Sequence, residues 1–535
     1  MRFDPLDYPY PSRRNCVYAT RGMVATSQPL AAQAGLSILQ QGGNAIDAAI
    51  ATAAALTVVE PTSNGIGSDA FALVWTGGKL YGLNSSGPAP RGLSIETLKR
   101  AGFSEMPRLG VAPAMVPGAP AAWVELNRRF GRLPLSTVLA PAVDYAERGY
   151  PVSPTLGRNW QIAFENYRKN LTGEEFRPWF DTFAPAGRPP AIGEVWRSPG
   201  HARTLRLIGE TAGEAFYRGE LAERIAAFVG RHGGYITPED LAAFRPEWVE
   251  PLHVHYRGYD VWELPPNGQG LVALLALNIL KGFTFGAREE VETYHLQIEA
   301  IKLAFADGLR FIADPRSMDV TPEDLLSDAY ADGRRRLIGR TALEPAPGRP
   351  PRGGTVYLAA ADAEGNMVSY IQSNYMGFGC GIVIPETGIA LNNRGHTFRL
   401  DPAHPNGLGP GKRPYNTIIP GFLTRDGQAV GPFGVMGGFM QPQGHVQVIT
   451  NAIDFGMNPQ AALDAPRWRW VEGRTVEMEH SVPEHIVDAL ARRGHAVRWA
   501  MGSDGFGRGQ IIWRMSDGAL VGATEPRTDG HVAAY

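Results

Sequence analysis

Cysteine is nearly absent from this chain. Cys16 and Cys380 are its whole complement in 535 residues, too few for a disulfide framework and in keeping with a reducing compartment. A charge excess of either sign is also missing: 51 basic against 53 acidic residues leave a formal net charge of -2, so neither nucleic acid nor a membrane surface is an expected partner. The longest apolar run, AAIATAAALTVV at 48–59, is well short of the roughly 20 residues that span a bilayer and reads as a buried, alanine-faced helix. The N-terminal stretch carries prolines and charges where a secretory signal needs continuous apolar sequence, and the expected location is cytoplasmic.

Metal and phosphate motifs are missing too. Twelve histidines include no H-E-x-x-H, and His253 and His255 read as an ordinary pair on one strand face. The run Asn406 to Arg413 looks like a phosphate loop, but Arg413 stands where Ser or Thr would bind magnesium. Gly377, Gly379 and Gly381 lack the spacing of a dinucleotide fingerprint. No metal and no cofactor is expected.

Residues 23–69 pattern as two helices, with Ser27 as cap of the first, Gly42-Gly43 as its stop and Asn44 as cap of the second. Gly77-Gly78 suits a hairpin turn, and Thr237-Pro238 opens a further helix. Helical patterns dominate from 119 to 310, and RTALEPAPGRPPRGG at 340–354 forms a proline- and glycine-rich linker. Beyond it the period becomes two. A hairpin is expected at 355–371, strands at 389–392, 418–423 and 429–435, and helices near 441–454 and 459–465. This order points to sheets packed under helical layers.

The junction Gly353-Gly354-Thr355 carries the chemistry. Two permissive glycines and a hydroxyl residue at a strand edge are what attack of the threonine Oγ on the preceding carbonyl requires. Cleavage there frees an α-amine whose ordinary pKa of roughly 7.7 to 8.0 makes it a far better base at neutral pH than lysine. One threonine then supplies both nucleophile and base.

At this point the chain resembles the γ-glutamyltransferase family of N-terminal nucleophile hydrolases, through QPLAAQAGLSILQQGGNAIDAAIA (28–51), EPTSNGIGSDAF (60–71), MVPGAPAAW (115–123), YHLQIEAIKLAFAD (294–307), GTVYLAAADAEGNMVS (354–369), PGKRP (410–414) and GVMGGFMQPQGH (434–445). The resemblance implies an α+β fold, a four-layer αββα sandwich with a mainly helical large-subunit region. It also implies a precursor that cuts itself between Gly354 and Thr355 into a large fragment, 1–354, and a small one, 355–535, which stay intertwined. Thr355 falls on the nucleophile, Ser373 on a hydroxyl that hydrogen-bonds it, and Gly437 and Gly438 on the pair whose N–H groups face the oxyanion, a donor type contributing roughly 2.7 to 4 kcal/mol each. Asn392 and Asn393 match an asparagine pair near the site. The implied partners are a small-molecule amide donor and water or an amine acceptor, with further oligomerisation open.

The pattern also departs from that family. Ser86 occupies the position of an arginine that grips the α-carboxylate of a γ-glutamyl group, Tyr375 replaces an asparagine, Arg394 a glutamine and Thr397 an aspartate, while Asn416 and Thr417 replace paired serines. Charge-assisted hydrogen bonds contribute about 1.5 to 3 kcal/mol each, so glutathione is expected to be a poor donor. Arg394 is expected to bring a new cation beside the nucleophile and to recognise an acidic amide. The function classes left open are γ-glutamyl hydrolysis or transfer, hydrolysis of another acidic amide or acyl side chain as in oxamate amidohydrolases and cephalosporin acylases, and an uncut, non-catalytic binding protein.

Overall fold

The strand that begins at the junction dictates the layering, because its side chains alternate between two apolar environments. Val356, Leu358 and Ala360 pack into a helical core, whereas Tyr357, Ala359 and Ala361 pack into a second core between two sheets. In the computed structural model, which describes residues 9–10, 14–345 and 354–535, this strand is Gly354–Asp362. Gly353 and most of the linker lie outside the described residues.

Among the described residues two seven-stranded sheets face each other. The first runs in the order His531–Ala534, Gly22–Thr26, Gly354–Asp362, Met367–Tyr375, Asp69–Thr76, Lys79–Ser85, Glu247–Val249. The second runs Val17–Ala19, Leu520–Thr524, Arg508–Arg514, Gln428–Met436, Gly421–Arg425, Tyr259–Glu263, Leu252–Tyr256. Neighbours are antiparallel throughout. Both sheets mix strands from before and after Thr355.

Helices cover the two outer faces. Ala45–Val59 is buried along its whole length against the first sheet, capped by Asn44 and Asp47 in a reciprocal capping box. Gly270–Leu280, Val291–Phe311 and Met440–Ile453 share a core with the outer face of the second sheet. The result is a four-layer αββα sandwich of the α+β class. No helix among the described residues is long and apolar enough to cross a membrane.

Several local expectations shift. The helix Pro29–Gln40 is capped by Gln28, whose side chain accepts from the N–H groups of Leu30 and Ala31, because a proline at the first helical position makes the residue before it the cap. Ser27 instead donates to Glu60. Residues 389–392 form isolated bridges, with Ala390 paired to Val383 and Leu391 to Gly67; a Cβ on Gly67 would lie 2.2 Å from the Ala390 carbonyl oxygen, so only glycine permits this approach. The strand anticipated at 418 starts at Gly421, just after Pro420, which has no N–H to give a ladder. The strands Trp468–Glu472, Thr475–Met478 and Ala496–Trp499 form a small third sheet in a region for which the periodicity gave no reading.

The two large sheets touch where Gly434 meets Tyr357: a Cβ on Gly434 would lie 2.4 Å from the tyrosine ring. Gly434→Ala is expected to destabilise the protein by about 1–3 kcal/mol through overpacking, read as a lower melting temperature. Gly333→Ala, inside the helix Asp328–Arg335 where a Cβ meets nothing within 4 Å, is the contrasting control and is expected not to lower the melting temperature.

Candidate active site

Strand alternation brings two hydroxyls together. Ser373 lies on the strand Met367–Tyr375 with the parity of Met367 and Ile371, which face the inter-sheet core, while Gln372 faces the helices and donates to the Ala53 carbonyl at 2.8 Å. Across the ladder the Thr355 hydroxyl donates to Ser373 Oγ at 3.2 Å, and both residues are fully buried. Ser373 Oγ also accepts from the Tyr375 N–H at 2.8 Å. Gln441 Nε2 approaches Thr355 Oγ1 at 3.4 Å while its Oε1 accepts from the Ile419 N–H at 3.0 Å. The threonine oxygen is therefore fixed by partners from a neighbouring strand and from a helix of the opposite layer.

That helix, Met440–Ile453, follows the glycine pair. Gly437 has φ 135° and Gly438 φ 60°, backbone geometry that other residues adopt only at a cost. The turn joins the end of the strand Gln428–Met436 to the helix start, with the Gly437 carbonyl accepting from the Met440 N–H at 3.1 Å and the Gly438 carbonyl from Gln441 at 3.2 Å. Gln269 braces it by donating to the Gly438 carbonyl at 2.9 Å and to the Thr417 carbonyl at 2.6 Å.

A second cluster adjoins the first through Tyr375. Arg394 is 1% exposed and grips Asp69 in a two-point ion pair, Nε to Oδ2 at 2.7 Å and Nη2 to Oδ1 at 3.0 Å. Its Nη1 donates to Thr417 Oγ1 at 2.8 Å, and Asn416 Nδ2 donates to Asp69 Oδ2 at 2.7 Å. The guanidinium lies over the Tyr375 ring at 4.7 Å, a favourable cation–π arrangement. Tyr375 has φ 78°, rare for a non-glycine residue, and its buried hydroxyl has no hydrogen-bond partner among the described residues. Burial raises the Tyr375 phenol pKa despite the nearby arginine, keeping it a neutral donor.

Three other residues singled out in the sequence have polar groups engaged with neighbouring protein. Ser86 Oγ donates to Asn84 Oδ1 at 2.7 Å beside Asn267. Asn393 accepts from the Met376 N–H at 3.1 Å and donates to the Arg108 carbonyl at 3.1 Å, holding the loop after Tyr375. Thr397 donates to the Arg394 and Tyr415 carbonyls. Asp69, Gln269 and Gln441 escaped the sequence reading as site residues. Asp69 ends a glycine-rich loop and Gln441 lies four residues after Gly437, but neither spacing announces a role.

One buried trio, His295, Glu299 and His495, has metal-ligating atoms within 4.8 Å of one another. Lys302 Nζ already sits 2.7 Å from Glu299 Oε1, supplying the cation such a site would need. The group instead ties down the chain ahead of the junction: His295 bonds the Gly339 carbonyl, Lys302 the Leu343 carbonyl, and Glu299 the Leu343 N–H. Burial and nearby cations lower the His495 pKa to about 3, so this ring is neutral at pH 7.

Removing the charge of Asp69 leaves Arg394 buried and uncompensated, which costs about 3–5 kcal/mol. Asp69→Asn is expected to lower the chemical-denaturation midpoint accordingly. The double variant Asp69→Asn, Arg394→Gln is expected to recover part of the loss.

The family model described as gamma-glutamyltranspeptidase matches residues 31–535. A crystal structure of a cephalosporin acylase from Bacillus halodurans is 64% identical, covers 100% of this chain and 99% of its own, and superposes with a TM-score of 0.96. The glutathione hydrolase-like YwrD proenzyme of Bacillus subtilis (strain 168) is 38% identical over 96% of this chain and 98% of its own length. The oxamate amidohydrolase proenzyme of Klebsiella pneumoniae is 36% identical over 97% of this chain and 99% of its own length. By this match along nearly its whole length, and by its sandwich of two sheets between helices, the chain belongs to the gamma-glutamyltranspeptidase family of N-terminal nucleophile hydrolases.

Proposed function

We propose that this protein is a self-processing N-terminal threonine amidohydrolase and acyltransferase. The observation that carries this reading is the buried Thr355 hydroxyl, held 3.2 Å from Ser373 and 3.4 Å from the Gln441 amide at the start of a central strand. In processing, Thr355 Oγ attacks the Gly354 carbonyl carbon and the C–N bond breaks to give an ester. Water then cleaves the ester, leaving the Gly354 carboxylate and a free Thr355 amine. The large fragment is 1–354 and the small one 355–535.

In turnover the same Oγ attacks a substrate amide. The Thr355 α-amine takes the hydroxyl proton and passes it to the departing amine, and the acyl group remains as an ester on Thr355 until water or an amine acceptor removes it. N–H groups of Gly437 and Gly438 stabilise the oxyanion. Because the α-amine must be neutral, kcat/KM rises with pH through an apparent pKa of roughly 7.7–8.0.

The donor we favour is an amide whose acyl part lacks the α-amino-acid head of a γ-glutamyl group. Ser86 stands in place of the carboxylate-gripping arginine, and the charge of Arg394 is matched by Asp69. The acyl side therefore offers hydrogen bonds, notably from the Tyr375 hydroxyl, with little net charge. Kinship with a cephalosporin acylase and an oxamate amidohydrolase supports this choice. A γ-glutamyl donor is the second reading, favoured by the family match and by the glutathione hydrolase-like relative.

Gel electrophoresis tests the processing step. Wild-type protein is expected to give two bands of about two-thirds and one-third of the 57.9 kDa mass, and Thr355→Ala a single band; a wild-type chain that stays whole refutes the mechanism. For the donor, glutaryl amides, oxamate and γ-glutamyl anilide are compared as substrates of wild type and Tyr375→Phe. Loss of one hydroxyl contact is expected to lower kcat/KM for the preferred donor by roughly 10-fold, while the melting temperature does not fall, because the phenol oxygen has no protein partner to lose.

A further inference from the structure

A cavity of about 580 Å³ opens beside the glycine turn, lined by Gly437 and Met440 and by residues of the small third sheet. That volume suits a small molecule. Trp470 and Trp499 line it, and Trp499 is held flat by stacking on His480, with ring centroids 5.2 Å apart and planes inclined by 9°. At the outer rim Met501 is fully exposed and Trp499 is 37% exposed, so the cavity communicates with solvent.

Among the described residues its charges do not cancel. Arg158 pairs with Asp504 at 2.7 Å, and Arg469 bonds Glu477 at 2.8 Å. Arg498, also on the lining, makes no ion pair with any described residue. The described lining therefore carries one positive charge beside flat aromatic surface.

An amide has two halves, and the site offers them different surroundings. The acyl half must stay in place while the ester persists, which suits the closed Arg394–Asp69–Tyr375 cluster. The amine half has to leave, and any acceptor must enter, so its place needs a route to water. The cavity has Gly437 in its lining and opens to solvent at Met501, so it lies next to the glycine turn and faces water.

We infer that this cavity receives the amine half of the substrate and that its Arg498 and Trp499 select an amine bearing a carboxylate on an aromatic or extended apolar frame. The inference rests on the reading of Thr355 as the acylated nucleophile and adds to it the identity of the leaving or accepting group.

The test uses two amides that share one accepted acyl group, with aniline or 4-aminobenzoate as the leaving amine. In wild type the carboxylate-bearing amide has the higher kcat/KM, and Arg498→Gln lowers the ratio of the two by roughly 3- to 5-fold, the scale of a solvent-exposed charge contact. Trp499→Ala raises KM for both amides. In parallel, 4-aminobenzoate alone is titrated against tryptophan fluorescence of the processed protein, and Arg498→Gln weakens its binding by a similar factor. If neither the ratio nor the binding responds to Arg498→Gln, the inference is overturned even though Thr355 still forms an acyl ester. If 4-aminobenzoate binds in an Arg498-dependent way but no acyl adduct appears on Thr355, the cavity stands as a binding site and the proposed chemistry is what fails.

Discussion

Everything in this site depends on one strand being clamped on both sides. Gly354–Asp362 lies between Gly22–Thr26 and Met367–Tyr375 in the first sheet, and its odd-numbered side chains are driven into the gap between the sheets by apolar partners there. A slip of one residue would turn every side chain to the opposite face, exchanging Tyr357 for Val356 in a gap where Gly434 leaves room for a ring. The same register that packs Tyr357 against the second sheet aims the Thr355 hydroxyl at Ser373. Core packing and the position of the Thr355 hydroxyl are thus set by a single alignment.

The local structure around this arrangement was largely legible in the sequence. Alternation from Thr355 onward announces the hairpin, Asn44 followed by Asp47 announces the buried helix, and the glycines at 437 and 438 mark a turn that only they accommodate. What could not be read are contacts between residues far apart in the chain. Asp69 and Arg394 are separated by 325 positions, and nothing local to either predicts that they neutralise each other. The expectation that Arg394 brings a new cation to recognise an acidic amide therefore changes in meaning: Arg394 is buried and its charge is already answered by Asp69. The strand expected at 389–392 differs for a similar reason, since a loop glycine far upstream takes up the pairing its apolar sequence invites.

The two polar clusters are built differently. Around Thr355 the groups are neutral hydroxyl, amide and backbone N–H, a setting in which a proton can move without separating charge in a dry interior. Around Arg394 the charges are full but paired with each other and held by further hydrogen bonds to Thr417 and Asn416. The first suits a reacting atom, and the second suits holding a shape against which a substrate can be measured. Tyr375 joins them, with its N–H on Ser373 and its ring under Arg394.

The interleaving of the sheets has a consequence for how the protein ends its life. Because each sheet contains strands from both sides of Thr355, a chain broken there would have no hinge along which its pieces could part, and the native state would not register the nick. Denaturation, by contrast, would release two separate molecules whose reunion requires an encounter in solution. The mature form would therefore be held by its kinetic barrier, and dilution after heating would make its loss permanent.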